Sequence, residues 1–385
     1  MKNLWIIIIA GVVIRLILSL TTFHSDTAVF DLTGKLVASG NILNLYDFSS
    51  SSAVFNYPPA IYLFHGVFNF LFNNILHLSQ VDQFNFQLLL LKLPYLIFDL
   101  LTGFILLKLF DSSKKSLVAF LLWMFNPINL YATYMMGQFD IIPTFFIILS
   151  AYLVIKGRLS WAAVALGLGI TFKISPVFLV IPLLTLSRSS WERLKLFALA
   201  MLPYLASIIT YLPSHSFRST ALFAAQNSKS LYANIPISGG EAIILFPAFL
   251  IFFYLFIWGS KTRLDIWKLY LIPFLLFFIF THYHPQWLIW VTPLLILELV
   301  TSGFKNLIPV LLILISWVAS LFFFDPLLTV GIFAPVIPAL RDMPSIWSLL
   351  QINIDYSLSR SLLQTIFASA SLFLIYQNLS IKEDD

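Results

Sequence analysis

The first polar stretch of the chain, residues 23–57, carries side chains suited to acid–base chemistry. They are His24, Asp26, Asp31 and Asp47. A carboxylate just outside the apolar run 4–22 can accept the proton of an incoming hydroxyl as a general base, and Asp26 lies nearest to that run. Ser25 or Asp26 also fits the start of an amphipathic helix over 27–39, and the two roles are compatible.

A lysine within the apolar stretch 159–186 is the second candidate. Lys173-Ile174-Ser175-Pro176 interrupts this stretch, which predicts two short helices that meet within the membrane. Such a break is tolerated where its backbone faces protein or a water-filled cavity. A lysine in that cavity suits an anion such as phosphate. The alternative is a lysine that snorkels to the membrane surface.

Two polar turns between apolar runs are further candidates. In Gly137-Gln138-Phe139-Asp140 the aspartate fits an N-cap of the next helix, but an N-cap requires neither the glycine nor the glutamine. In His282-Tyr283-His284-Pro285-Gln286-Trp287 the two histidines can bind a metal only with further ligands from elsewhere. Contacts with phosphate or sugar hydroxyls and a plain interfacial aromatic belt are the alternatives for the second turn.

Inserting an ionisable residue at the centre of a membrane helix costs about 2.5–3.5 kcal/mol of free energy. Such residues within apolar runs are therefore candidates for a functional site. They are Arg15, Lys92, Asp99, Asp140, Lys173 and Glu298. Lys92 and Asp99 lie on one face of one helix, so we expect them to pair with each other or with neighbours. Glu298 is expected to be interfacial, at a cytoplasmic helix end.

Long apolar runs must position these residues. Of the 385 residues 60% are hydrophobic and 10% charged, against about 25% charged in soluble domains. With a mean hydropathy of +0.93, this composition excludes a soluble globular protein. The runs are continuous and not alternating, which favours an all-α helical bundle over a barrel. Cysteine is absent, which excludes thiol catalysis, and the net charge of +5 calls for no nucleic acid.

We expect one integral domain over 1–385 with about 10–13 membrane segments, and a first extracytoplasmic loop that carries surface helices. Basic residues mark cytoplasmic loops by the positive-inside rule, among them Lys114, Lys261, Arg263 and Lys382. The outer stretches are then 23–57, 211–240, 282–286 and 325–358. Residues 58–76 would break this alternation if they crossed, so we expect a re-entrant or surface-lying segment.

Short motifs run in order along the first half of the chain. They are Asp26-Thr27-Ala28-Val29-Phe30 followed by Lys35 and Gly40, Tyr57-Pro58-Pro59, Phe98-Asp99-Leu100-Leu101, Asn126-Pro127, Gly137–Asp140, and Gly167–Pro176 with Lys173. This set resembles the GT-C glycosyltransferases, and more narrowly the glycosylphosphatidylinositol mannosyltransferase I group and its bacterial relatives. The likeness covers about the first half, 1–186; the more variable half, 187–385, is matched only through His284-Pro285-Gln286.

The resemblance implies transfer of a hexose, mannose above all, from a polyprenyl-phosphate donor to an acceptor hydroxyl on the extracytoplasmic face, with inversion. Asp26 would be the general base. The residues implied in substrate binding are His24, Tyr57, Gln138, Asp140, Lys173, Arg218, His282, His284 and Gln286. The family's first-loop motif is commonly Asp-x-Asp, and His24 replaces its first carboxylate. No metal site or other cofactor is therefore predicted, although metal dependence stays open.

The partners implied are the sugar donor, a glycolipid, glycan or protein acceptor, and the bilayer. The expected location is the plasma membrane, or the endoplasmic reticulum membrane in a eukaryote. Two alternatives remain at this point. One is a transporter or flippase for a lipid-linked or anionic substrate, with Lys173 at its midplane site. The other is a catalytically inactive relative, which the His24 departure leaves open.

Overall fold

The protein is described by a computed structural model over residues 2–51, 53–78, 81, 83–260 and 264–380. Within these ranges the chain is mostly helical, with one small antiparallel hairpin of β1 (Asn234–Pro236) and β2 (Ala242–Ile244). Lys261, Arg263 and Lys382, which the charge pattern predicts to be cytoplasmic, lie outside the described residues.

The α-helices follow one another with short 3-10 and π-helical turns between them. They are α1 Lys2–Thr21, α2 Asp26–Ala38, α3 Pro59–Phe70, α4 Phe84–Lys92, α5 Tyr95–Lys108, α6 Ser113–Met124, α7 Pro127–Asn129, α8 Ile141–Ile155, α9 Leu159–Phe172, α10 Val180–Thr185, α11 Ser190–Ile208, α12 His215–Phe217, α13 Leu245–Gly259, α14 Ile266–Phe280, α15 Thr292–Thr301, α16 Leu307–Leu321, α17 Ile346–Leu349 and α18 Tyr356–Leu379.

Four helical stretches in the described residues are long and apolar enough to cross a membrane. They are 4–21, 113–135, 190–211 and 356–379. A fifth span results if α4 and α5, which meet at a bend of 42°, are counted as one. Seven further apolar helices are 10–17 residues long. The chain is therefore an integral membrane protein of the expected helical class. The expected number of about 10–13 membrane segments is reached only if these shorter helices also lie in the membrane.

A buried ion pair joins the first helices of the bundle. Arg15 Nε on α1 donates to Asp99 Oδ2 on α5 at 2.5 Å, and both side chains are fully buried. Asp99 also accepts hydrogen bonds from Trp123 Nε1, Asn129 Nδ2 and Tyr134 Oη. These bonds occupy both carboxylate oxygens, which is what a charge at this depth requires. The cluster fixes α1, α5 and α6 around a common polar centre.

The other intramembrane charges also find partners. Lys92 pairs with a neighbour and not with Asp99, because its Nζ donates to Thr22 O at 2.6 Å at the end of α1. Glu298 is buried within the protein, at 3% exposure, near the end of α15, and its interfacial depth stays a prediction. Its carboxylate accepts hydrogen bonds from Asn306 and Asn378, which join α15 to α18.

The stretch 159–186 is divided as the sequence predicts. Helix α9 ends at Phe172, Lys173 is extended (φ −154°, ψ 137°), and a 3-10 turn over Ser175–Leu179 leads into α10. Pro176 at the start of this turn lacks the amide hydrogen that a continuous helix would need. Because Lys173 lies outside the helix, its side chain does not have to follow the direction of the α9 side chains.

The first outer stretch folds onto the helices that follow it. Helix α2 confirms the predicted helix within one residue, and its Phe30 and Val37 are buried. Val37 packs so closely on Gly66 of α3 that a Cβ there would collide with it. Tyr57 precedes α3, and the hydroxyls of Tyr46 and Tyr62 bind its backbone. Whether α3 re-enters the membrane stays a prediction.

Candidate active site

Asp26 is the first residue of α2, and its carboxylate is partly exposed, at 40%. Gln138 Nε2 donates to its Oδ2 at 2.7 Å. His24 Nδ1 lies 3.7 Å from the same oxygen and accepts the backbone amide hydrogen of Asp26. Burial lowers the pKa of His24, with Lys92 acting in the same direction and Asp26 and Asp325 against it. The carboxylate thus has one fixed donor and keeps an accessible face.

The turn at Gly137 brings Gln138 to Asp26. Gly137 has φ +66°, a conformation that L side chains rarely adopt, and its Cα faces α2. A Cβ at this position would collide with Thr27 Cγ2 and lie 3.1 Å from Lys92 Cε. Both the close contact and the backbone conformation therefore explain a glycine at this position. An N-cap role for Asp140 would require neither.

Asp140 is not a side-chain N-cap of α8. Its Oδ1 accepts hydrogen bonds from Lys173 Nζ and from Trp290 Nε1, both at 2.6 Å. Its Oδ2 is buried and has no hydrogen-bond partner among the described residues, and the same holds for Oε1 of Gln138. The two side chains therefore leave two buried acceptors, of which the one on Asp140 belongs to the carboxylate that binds Lys173.

The ammonium group of Lys173 is surrounded by aromatic rings. Its Nζ lies 5.4 Å from the ring centroids of Tyr57 and Phe139, 5.2 Å from that of Trp287 and 4.9 Å from that of Trp290. Cation–π attraction and the Asp140 carboxylate together stabilise a charge that is only 8% exposed. The snorkelling alternative for Lys173 is therefore wrong.

Two cavities meet at this group of residues. The first, which we call the aspartate cavity, has a volume of about 530 Å³ and is lined by His24, Asp26, His284, Gln286 and Arg341 among others. The second, the lysine cavity, has a volume of about 370 Å³ and is lined by Lys173, Ser175 and apolar side chains such as Phe178. Both are lined by Asn56, Tyr57, Gln226 and Trp287, which form the wall between them.

A lysine from the second outer stretch reaches the histidine turn. Lys229 Nζ lies 3.0 Å from His284 Nε2. Partial burial and the positive charges of Lys229 and Lys173 lower the pKa of His284 to about 4. The imidazole is therefore neutral at pH 7 and accepts a hydrogen bond from the ammonium group. Burial likewise lowers the pKa of Lys229.

The structure brings together most of the residues implied by the resemblance, but not Arg218 and His282. Arg218 donates to the carbonyl oxygens of Leu212 and Pro213 in its own loop and lines neither cavity. His282 lies two residues before His284 and lines a separate groove.

Several site residues were not singled out from the sequence. Trp290 could have been found, since it follows Trp287 by three residues and so lies on the same face of a helical turn. Lys229, Gln226 and Asp325 carry no such signal. Gln226 binds the backbone carbonyl of Asn56 at 2.9 Å, a contact between positions 170 residues apart. Among the described residues no three His, Asp or Glu side chains are grouped closely enough to hold a metal ion.

The arrangement suits transfer to a hydroxyl group. It places a partly exposed carboxylate in one cavity and a caged ammonium group in the next, within electrostatic range of each other. The first group can accept a proton, and the second can stabilise an anion that leaves. The apolar lining of the lysine cavity suits a hydrocarbon chain.

Multiple apolar helices around such a polar site define a membrane-embedded transferase of the GT-C class. The model of glycosyltransferase family 87 matches residues 55–281, more than half of the chain, and the chain belongs to that family. This confirms the resemblance inferred from the motifs. The matched range includes Tyr57, Gln138, Asp140 and Lys173 but begins after Asp26.

Two curated relatives share a shorter region with the chain. Over 95 residues it is 32% identical to "GPI mannosyltransferase 1" of Saccharomyces cerevisiae, and equally to that of Kluyveromyces lactis. The shared region is 24% of this chain and 23% of each relative, so the chain spans about a quarter of their length. No solved structure matches the chain.

Proposed function

We propose that this glycosyltransferase moves a hexose, in the first place mannose, from a polyprenyl-phosphate donor to an acceptor hydroxyl on the extracytoplasmic face of the membrane. The observation that carries the proposal is the placement of the Asp26 carboxylate and the Lys173 ammonium group on either side of one shared wall. Mannose is proposed on the likeness to the two mannosyltransferases over 95 residues.

Asp26 serves as the general base. Its carboxylate takes the proton of the acceptor hydroxyl, and the oxygen attacks the anomeric carbon of the donor. The bond from that carbon to the phosphate oxygen breaks on the opposite face, so polyprenyl phosphate leaves and the configuration inverts. A single displacement of this kind needs no second carboxylate as a nucleophile. Gln138 holds Asp26 through its 2.7 Å hydrogen bond.

Lys173 stabilises the phosphate that leaves. An ammonium group has three donors, and Asp140 takes only one of them in the structure. The lysine cavity continues past Ser175 to Val177, Phe178 and Phe277, which suit the first isoprene units. Lys229 and His284 add a second polar contact at the rim of the wall. Tyr57 and Gln286 bind the sugar between the two charged groups.

The acceptor enters the aspartate cavity, whose polar lining suits a glycolipid, a glycan or a protein. Its mouth is formed by the outer stretch that contains Asp325 and Arg341. We place the site on the outer face of the plasma membrane, or on the lumenal face of the endoplasmic reticulum in a eukaryote. Membership of a transferase family favours this function over the transporter alternative.

The test is transfer by the purified protein in liposomes. Polyprenyl-phosphate mannose is supplied with a candidate acceptor, and release of polyprenyl phosphate is measured. Asp26→Asn keeps the size of the side chain but removes the base, and we expect a loss of about 10²–10⁴-fold. Asp31→Asn is the matched control, because Asp31 lies on the same helix and, within the described part of the chain, pairs only with exposed Lys35.

The variants separate the proposal from its rivals. Transfer by Asp26→Asn at the rate of the wild type would refute the assignment of the base. Absence of transfer with every polyprenyl-phosphate hexose, by a wild-type protein that is folded, would favour the inactive relative. Loss in both aspartate variants would indicate damage to α2 instead of a catalytic effect.

A further inference from the structure

A further cavity lies away from the candidate active site. It is a groove of about 650 Å³ between the outer ends of α14 and α16 and the first half of α18. We call it the α18 groove. Its lining shares no residue with the aspartate or lysine cavity. The proposed transfer reaction therefore leaves it without a role.

The lining of the α18 groove is polar at one end and apolar at the other. Ser357, Arg360, Gln364 and Phe367 recur at helical spacing and so form one face of α18. Gln364 ties this face to α14 by donating to the carbonyl oxygens of Phe278 and Ile279. Along the helix the lining changes from hydroxyl and guanidinium groups to an aromatic ring.

Arg360 has no anionic partner in this groove. Among the described residues its guanidinium group makes no ion pair or hydrogen bond. Its Cζ lies 5.8 Å from the centroid of the Phe324 ring, over the face of that ring. Asp355, the nearest carboxylate along the helix, is taken by the backbone amides of Ser357 and Leu358. The lining contains no Asp or Glu. Five donors are thus free to meet an anion.

A second observation points to a ligand in the same place. The hydroxyl of Thr281, a lining residue that is only 2% exposed, has no hydrogen-bond partner among the described residues. Buried polar groups normally have one. Burial lowers the pKa of His282 beside it, and the positive charges of Lys229 and Arg360 act in the same direction. Ser316 and Ser320 of α16 supply further hydroxyl groups.

We propose that the α18 groove binds the phosphate headgroup of an anionic phospholipid, with the phosphate on Arg360 and Thr281. A phosphate oxygen accepts two parallel hydrogen bonds from a guanidinium group, which is the geometry that arginine favours. The acyl chains run past Phe367 along helices whose exposed side chains, such as Ile315, Val318 and Leu362, face hydrocarbon. A lipid is the occupant because the groove lies between α18, which is long and apolar enough to cross a membrane, and the apolar helices α14 and α16.

The test measures lipid binding by native mass spectrometry of the purified protein in detergent. Phosphatidylglycerol, phosphatidylcholine with the same acyl chains, and inorganic phosphate are titrated separately. We expect phosphatidylglycerol to bind about tenfold more weakly to Arg360→Gln than to the wild type, from loss of the charged hydrogen bonds. Arg188→Gln removes the same charge from an exposed position and should bind like the wild type.

Two further variants keep the result interpretable if Arg360→Gln unfolds. Thr281→Val keeps the shape of the side chain and removes only the hydroxyl, and it should weaken phosphatidylglycerol binding several-fold. Arg360→Lys keeps the charge and should bind more tightly than Arg360→Gln wherever both fold. Equal phosphatidylglycerol binding by the wild type, Arg360→Gln and Thr281→Val would overturn the proposal. Binding of inorganic phosphate as tight as that of the lipid would overturn the choice of a lipid.

Discussion

Lys173, at the break after α9, donates a hydrogen bond to Asp140 at the start of α8 at 2.6 Å, and both side chains are buried. Removing one partner of such a pair leaves an uncompensated charge in a site of low polarity, at a cost of about 3–5 kcal/mol. We therefore expect Lys173→Met and Asp140→Asn each to lower the free energy of unfolding by about that amount. Denaturant unfolding in detergent, followed by tryptophan fluorescence, measures it.

The double variant is the control for this pair. Lys173→Met combined with Asp140→Asn removes both charges, so it should be more stable than the sum of the two single losses predicts. Additive losses would show that the two side chains do not depend on each other. The double variant should still fail to transfer sugar, because the cation of the lysine cavity is missing.

In the proposed reaction Gln138 positions the base through its hydrogen bond to Asp26 and does not touch the reacting atoms of the substrate. Replacing it by leucine removes the 2.7 Å hydrogen bond to Asp26 and leaves the carboxylate free to rotate. We expect kcat to fall about tenfold, the effect of about 1.4 kcal/mol, with little change in the KM of the donor. A purely structural role would lower the midpoint of thermal unfolding as well.

Gln87→Leu serves as the comparison, since Gln87 on α4 donates to the nearby backbone carbonyl oxygen of Val81. The Gln138 prediction fails if kcat stays at the wild-type value, or if it falls equally in both glutamine variants. Donor kinetics in the same liposomes decide between these results.

The helix break, the aspartate turn and the long apolar helices could be predicted from the sequence, because each depends on local chemistry. Pro176 interrupts a helix whatever surrounds it, and an ionisable residue within an apolar run requires a polar partner. The partner itself was harder to predict. Arg15 and Asp99 lie 84 residues apart, and only the packing of α1 on α5 brings them together.

The rim of the site shows the same limit. Lys229 and His284 are 55 residues apart, on an irregular outer stretch and a short turn, where no periodicity predicts orientation. His282 was grouped with His284 because the two are neighbours in sequence. The structure places His282 in the α18 groove and His284 in the aspartate cavity, so nearness in sequence gave no guidance about which cavity each would line.

The pKa of His284 makes the stability of the protein depend on pH. In the unfolded chain the histidine has a pKa near 6.5, whereas partial burial and nearby lysines lower it to about 4 in the fold. Between these values the unfolded chain binds the proton and the folded protein does not, so folding becomes less stable as the pH falls from about 6.5 to about 4. Above 6.5 the residue contributes no pH dependence.

His284→Gln isolates this contribution from those of the other histidines. The variant keeps a hydrogen-bond acceptor for Lys229 but cannot titrate, so its midpoint of thermal unfolding should fall less steeply than that of the wild type between pH 6.5 and about 4. Parallel curves for the two proteins would show that His284 does not titrate in the fold as the geometry indicates.

Gly137 holds the turn against α2, and an added methyl group there has two separate effects. The positive φ of +66° makes alanine cost about 1–2 kcal/mol, and the new Cβ collides with Thr27 Cγ2 and so displaces the start of α2, where Asp26 lies. We expect Gly137→Ala to lower transfer more than tenfold.

Thr27→Ser in the same chain removes the colliding methyl group and keeps the hydroxyl that binds His24 O. This double variant should recover much of the activity but not the stability lost to the backbone, as transfer assays and thermal unfolding together will show. If Thr27→Ser restores neither, contact with α2 is not the reason for a glycine at this position.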